Sequence, residues 1–215
     1  MNKVKIKWLG HACFLLSSDG GVKILTDPFD NTVGYEVPSV EADIVTTSHD
    51  HFDHNYVAAV KGNYEHIRDA GKFDVKGIEI TGVETFHDDK EGTKRGKNIV
   101  YKFNIDGINV CHCGDLGHVL LPDQIEKLGK VDVLLVPVGG TFTVNAVKAW
   151  EVVKQLNPVI TIPMHFKTEV INFPIEDVDN FLSVAGKGTK IHKQEIEINK
   201  DNLSDFEGVI VLDYK

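Results

Sequence analysis

The sequence predicts an α/β fold of two β-sheets with helices outside them, in one domain spanning residues 1–215. Three observations carry this. The first half alternates short strands with Gly- and Asp-rich turns. The second half alternates continuous apolar strands with amphipathic helical stretches. No linker, repeat or low-complexity segment divides the halves, and 215 residues suit one well-buried domain better than two.

The elements follow in order. Residues 4–8 alternate charged and apolar side chains, as a half-buried strand does. Strands over 13–17 and 22–26 flank the turn Asp19-Gly20-Gly21, and Asp27-Pro28 stops the second of them. Residues 42–47 form a buried strand, followed by a polar segment and a short helix over 55–61. Further strands are expected over 64–68, 73–75, 78–85, 98–105 and 108–113, the last pair joined by the hairpin signal Asp106-Gly107. Helices over 122–128, 144–156 and 175–184 then alternate with strands over 131–138 and 159–163. The tail alternates apolar residues over 195–198 and 208–212.

Composition narrows the function. The hydrophobic fraction of 42% and charged fraction of 26% are those of a globular protein. No stretch approaches the roughly 18 apolar residues of a membrane span, and the first residues lack a signal-peptide apolar core. A net charge of −9 opposes a nucleic-acid partner. Three cysteines, Cys13, Cys111 and Cys113, cannot complete a disulfide framework, so a reducing cytoplasm is expected.

The segment Ser48-His49-Asp50-His51-Phe52-Asp53-His54 places three histidines and two further carboxylates directly after a buried strand. Imidazole nitrogen and carboxylate oxygen suit Zn²⁺, Mn²⁺ or Fe. On a helix, His49 and Asp53 would share one face, and His51 and His54 another. In a strand-to-helix turn, His49 and His51 could grip one ion while Asp53 and His54 turn toward a second. Other candidates also end apolar strands: Asp27, His87, Asp115 (after Gly114) and His165. Alone, each would be an ordinary strand-end or turn residue. Asp27 is read as a carboxylate that orients a ligand imidazole from behind. His11 and His118 follow glycines, where each could donate to a substrate oxyanion or protonate a leaving group. Ser48 is read as a backbone-capping hydroxyl, since no spare base is evident to activate it.

These motifs resemble those of the metallo-β-lactamase-fold hydrolases. The residues carrying the resemblance are His-x-His-x-Asp-His, Trp8-Leu9-Gly10-His11, Thr26-Asp27-Pro28, the run His112-Cys113-Gly114-Asp115-Leu116-Gly117-His118, and Ile162-Pro163-Met164-His165-Phe166. They are closest to the single-domain branch with L-ascorbate-6-phosphate lactonase-like and phospholipase-D-like members. The resemblance implies a four-layer αββα sandwich of two mixed sheets. It also implies one metal on His49, His51 and His87, a second on Asp53, His54 and His165, and Asp115 bridging both. Two divalent ions, Zn²⁺ first and Mn or Fe as alternatives, would be the cofactors, with Asp53 and Asp115 in catalytic roles.

Two ions bring +4 against the −2 of Asp53 and Asp115, a centre that should acidify a bridging water to hydroxide near neutral pH. The expected activity is hydrolysis of a small ester, lactone or phosphodiester. The basic residues Lys94, Arg95, Lys97 and Lys167 suggest an anionic substrate, drawn in despite the overall negative charge. The alternatives are a glyoxalase-II-like thioesterase, or a non-catalytic or redox metal-binding protein on the same fold. The sequence leaves the oligomeric state open.

Overall fold

Alternation of apolar and polar side chains builds the first sheet. In the computed structural model, which describes residues 2–215, Val4, Ile6 and Trp8 of β1 (Val4–Gly10) are buried while Lys5 and Lys7 lie partly exposed between them. Strands β2 (Cys13–Ser17), β3 (Lys23–Thr26), β4 (Ile44–Thr46) and β5 (Glu65–Ile67) follow. A late strand, β13 (Glu195–Ile198), pairs with β1, giving the order β13-β1-β2-β3-β4-β5. Pairing is antiparallel from β13 to β3 and parallel from β3 to β5.

The second sheet begins as an antiparallel meander of β6 (Gly71–Val75), β7 (Ile78–Phe86), β8 (Lys97–Ile105) and β9 (Ile108–His112). It continues in parallel through β10 (Val133–Pro137), β11 (Ile160–Met164), β14 (Gly208–Val211) and β12 (Thr189–Lys190). Every residue of β10 and β11 is buried, as expected of parallel strands covered on both faces. Helices α1 (Pro122–Leu128), α2 (Ala146–Leu156) and α3 (Val178–Ala185) pack on this sheet's side: α1 on β7, α2 on β10, and α3 on α2.

Between the sheets, Ile6, Trp8, Phe14, Leu16 and Ile24 of the first meet Ile80, Tyr101, Phe103 and Val110 of the second in one buried cluster. The two mixed sheets and three helices form the α/β architecture expected. The outer face of the six-stranded sheet, however, carries loops where helices were anticipated: Phe29, Val33, Tyr35, Ile171 and Ile175 cover Cys13, Leu25 and Val45.

Other departures are local. The helix expected over 55–61 is a single 3-10 turn, Val57–Ala59, in which no residue is buried. A helix without an apolar stripe has little tertiary packing to hold it. The helix expected from 175 starts instead at Val178, where the Asp177 side chain accepts from the amides of Asp179 and Asn180. Strand β12 lies in a Gly- and Lys-rich stretch with no apolar signal, and forms by pairing with β14.

The carboxyl ends of β1, β3, β4, β7, β9 and β11 lead directly into His11, Asp27, residues 48–54, His87, Asp115 and His165. The inter-sheet core is the platform for that edge. Truncating fully buried Phe103 to Ala should therefore destabilise the protein by about 3–5 kcal/mol. Val147→Ser on the exposed face of α2 should stay within about 0.5 kcal/mol. Urea unfolding midpoints distinguish the two; equal shifts would show that this core does not carry the fold.

Candidate metal centre

After β4 the chain runs through Thr47 and Ser48 and turns sharply, with the His54 amide donating to the His51 carbonyl at 2.9 Å. This turn brings His49, His51, Asp53 and His54 to one place. Their donor atoms fall into three overlapping groups, each with all atoms within 4.8 Å of one another: His49, His51 and His87; His11, Asp53, His54 and His165; and His49, His54 and Asp115. The Asp115 carboxylate lies between the first two groups. Its Oδ2 is 3.2 Å from His87 Nε2 and 3.4 Å from His165 Nε2, and its Oδ1 is 3.2 Å from His54 Nε2.

The imidazoles are oriented from behind. Asp27, fully buried, accepts from the Ser48 amide at 2.7 Å, the Ser48 hydroxyl at 2.6 Å and His54 Nδ1 at 2.8 Å. Because the Ser48 hydroxyl gives its proton to a carboxylate, its oxygen accepts from His49 Nδ1 at 2.9 Å. Both His49 and His54 thus give their Nδ1 protons to these partners and turn Nε2 toward the cluster. Ser48 is therefore a link between Asp27 and His49 rather than the backbone cap expected. Asp27 stands behind His54 directly, and behind His49 through Ser48.

Asp115 is held equally firmly. Its amide donates to Asn98 Oδ1 at 2.9 Å, while Asn98 Nδ2 donates to Thr85 Oγ1 and to the Cys113 carbonyl. Gly114 adopts φ +55°, and a Cβ there would collide with Ser48 and Asn98. Gly117 donates to the Phe86 carbonyl at 2.9 Å, and a Cβ on it would collide with the backbone of His87 and Asp88. Three non-glycine residues at this edge, His11, Asp27 and His165, also sit at positive φ, strain that the surrounding packing must hold in place.

The donor set fits divalent cations. His54 Nε2, His165 Nε2 and Asp115 Oδ1 are buried without a hydrogen-bond partner, and His54 shares one donor group with His165 and another with Asp115. Burial, and then the neighbouring His54, push the His49 imidazole down to about 3. Burial also lowers His87, so both offer neutral lone pairs at neutral pH. Burial opposes charge on His54 as well, yet the Asp115 and Asp53 carboxylates outweigh it and raise that imidazole well above its ordinary value. Asp115 is held well below the carboxylate range, His165 and His54 overcoming the effect of its burial. The cluster is built to hold positive charge between its carboxylates.

His11 joins this cluster. It is fully buried, its Nε2 lies 3.1 Å from Asp53 Oδ2, and its ring centroid is 4.1 Å from that of His165. Burial, then His165, lower it to about 4 against the Asp53 hydrogen bond, so it is neutral near pH 7 and donates Nε2–H to Asp53. His118 does not join, which corrects the catalytic role expected for it. Its Nε2 accepts from the Phe86 amide at 3.1 Å and its Nδ1 donates to the Val119 carbonyl at 2.8 Å, leaving no nitrogen for a substrate. Lys167 is likewise absent from the cavity wall, donating to the Phe173 carbonyl at 3.2 Å.

The cavity above the cluster, about 500 Å³, is lined by His51, Asp53, His87, Asp115 and His165 together with Lys94 and Arg95. Residues the sequence did not single out support it. Asn98 looked like an ordinary strand residue, His112 only part of a motif, and Asp88 a loop acid. His112 accepts from the Gly114 amide at 3.2 Å on Nδ1 and donates from Nε2 to the Ala12 carbonyl at 2.7 Å, joining the two sheets beneath the site. The Asp88 carboxylate accepts from the amides of Lys90, Gly92, Lys94 and Arg95. Burial would raise it, but these four bonds hold it down at about 2.

The Asp88 loop gives a pH-dependent expectation. Its folded pKa lies below the ordinary carboxylate value, so its stabilisation is present above about pH 4 and is lost as pH falls toward 2. Asp88→Ala should lower Tm at pH 7, and the difference from the parent should shrink across that acid window. A difference independent of pH would mean that the carboxylate charge does not organise the loop.

Comparison with known proteins agrees with this geometry. Residues 5–165 match the family model of the beta-lactamase superfamily domain. A UPF0173 metal-dependent hydrolase of Thermococcus kodakarensis is 31% identical over 77% of this chain and 85% of its own length. Another, from Archaeoglobus fulgidus, is 32% identical over 82% and 87%. A crystal structure from Thermotoga maritima, described as a candidate Zn-dependent hydrolase of the metallo-beta-lactamase superfamily, superposes with a TM-score of 0.82. It is 44% identical, and the match covers 97% of this chain and 98% of that one. The chain belongs to the metallo-β-lactamase superfamily, among its metal-dependent hydrolases.

Proposed function

We propose that this chain, working as a single domain over 1–215, is a dinuclear hydrolase of small anionic esters, lactones or phosphodiesters. His49, His51 and His87 would hold one ion, Asp53, His54 and His165 the other, and Asp115 would bridge them. The position of the Asp115 carboxylate, 3.2–3.4 Å from imidazoles of both groups, carries this reading. All-nitrogen and oxygen donors in two compact sets suit Zn²⁺ first, with Mn or Fe as alternatives. The free thiols of Cys13, Cys111 and Cys113 suit a reducing cytoplasm. Among the described residues, no helix is long and apolar enough to cross a membrane.

Bound divalent ions would polarise the scissile carbonyl or phosphoryl group and supply hydroxide near neutral pH. The remaining tasks belong to side chains. Asp27 fixes the tautomers of His54 and, through Ser48, of His49. Asn98 fixes Asp115. Asp53 Oδ2, steadied by His11 Nε2–H, accepts the proton released in hydrolysis and returns it to the leaving oxygen. Lys94 and Arg95 line the cavity and attract the anion.

Elemental analysis of metal-replete protein should give about two equivalents per chain, as two donor sets require. Full activity at a stable stoichiometry of one would reject the two-ion reading. Asp115→Asn should cost more metal affinity than loss of a surface carboxylate such as Asp123, and retention of both ions with normal turnover would remove Asp115 from the bridge. The same sample is assayed on lactone, phosphodiester and thioester panels.

The pH profile and Ser48 test the nucleophile. kcat/KM should rise with pH through an apparent pKa of about 7. Ser48→Ala removes an orienting bond, so metal affinity should fall by about 10- to 100-fold while turnover at saturating metal persists. Activity abolished by that change with both ions bound would instead favour covalent catalysis by Ser48.

A further inference from the structure

The cavity carries a wall that hydrolytic chemistry alone does not require. Phe52, Phe142 and Phe173 all line it. Phe52, the residue before Asp53, leaves 53% of its surface exposed, a large apolar area for a position between polar donors. The rings meet edge to face, Phe52 to Phe173 at 6.5 Å and Phe142 to Phe173 at 6.2 Å. Phe173 also meets His11 at 5.7 Å, so the aromatic surface reaches down to the donor cluster.

Arg95 adjoins this wall and is fixed at both ends. Its amide donates to Asp88 Oδ2 at 2.8 Å, and its guanidinium lies over the Phe142 ring, 5.5 Å from the centroid. A guanidinium stacked on a ring keeps its N–H edge available for a bidentate oxoanion. Two other cations near the cavity are already engaged, Lys97 by Glu84 at 2.9 Å and Lys148 by Asp89 at 3.3 Å, while Lys94 lines the cavity beside Arg95 as a point charge without the planar fork. Among the described residues, Arg95 has no carboxylate partner. Of the acids lining the cavity, Asp53 and Asp115 belong to the proposed ligand set, and Asp50 accepts from Asn55 at 2.7 Å.

The geometry points to an aromatic oxoanion as the substrate: a planar apolar body against Phe52, Phe173 and Phe142, and a carboxylate or phosphoryl group on the Arg95 fork. The scissile bond then lies over Asp115. Water adds OH to the acyl or phosphoryl centre, the C–O or P–O bond breaks, and the proton goes to the leaving oxygen. This deepens the hydrolytic reading and rests on it only for where the scissile bond sits.

Binding of uncleavable amides to the metal-loaded protein tests recognition apart from turnover. 4-Acetamidobenzoate has both the ring and the anion, acetanilide lacks the anion, and N-acetylglycine lacks the ring. By calorimetry the first should bind about tenfold more tightly than either of the others. Arg95→Gln should reduce its affinity to that of acetanilide, and Phe173→Ala to that of N-acetylglycine, with metal content unchanged. Phe52→Ala, on an exposed side chain, repeats the test without risk to folding. Replacing the benzoate by 4-acetamidophenylphosphonate decides between carboxylate and phosphoryl. Equal binding of all three amides, absence of binding, or a preference insensitive to these variants would overturn the proposal. If the preference holds while no ester, lactone or phosphodiester is cleaved, the recognition stands and the hydrolytic reading fails.

Discussion

The buried carboxylate of Asp27 is the interaction on which the donor cluster depends. It leaves the end of β3 at a positive φ of 43° and reaches across to the segment after β4. There it accepts three hydrogen bonds, from the Ser48 amide, the Ser48 hydroxyl and His54 Nδ1. A carboxylate fully removed from water is costly unless its lone pairs are filled by such donors. Filling them decides which nitrogens of His49 and His54 face the cluster. Without Asp27, two imidazoles would be free to rotate or change tautomer, and the donor sets would lose their shape before any ion arrived.

The same economy of support recurs around Asp115. Asn98 on β8 accepts from the Asp115 amide, and its own amide group ties β7 and the end of β9 together. Glycines at 114 and 117 permit backbone contacts that a side chain would block. Positive φ at His11, Asp27 and His165 means that three strand ends are bent sharply to turn their side chains into one place. Such strain persists only because the sheets beneath are rigid, packed through Trp8, Phe14, Tyr101 and Phe103.

Above the cluster, one loop connects a candidate metal donor to the cations of the cavity wall. His87 follows β7 and belongs to the first donor group, and the next residue, Asp88, gathers the amides of Lys94 and Arg95. A shift of this loop would therefore move a donor and the cavity's cations together. His118, although outside the donor groups and the cavity wall, holds the Phe86 amide one residue before His87 and so steadies the same strand end.

Much of this was legible in the sequence because periodicity and punctuation act locally. Alternation over residues 4–8 marked β1, continuous apolar runs marked β10 and β11, and His-x-His-x-Asp-His after a strand marked a metal-like turn. What the sequence could not decide was contact across the fold. Whether His11 or His118 reached the cluster depended on backbone direction after a glycine. His11 arrived beside Asp53, while both nitrogens of His118 were taken by backbone. The supporting roles of Ser48, Asn98 and Asp88 depended on partners tens of residues away or on a loop's closure, which no local spacing encodes. Lys167 and Arg95 were equivalent as charges in the chain, and only packing turned one to a carbonyl and the other into the cavity. Local residue chemistry thus determined which groups could bind metal. The meeting of the strand ends from two sheets decided which of them share a site, because that depends on long-range packing and not on any interval in the sequence.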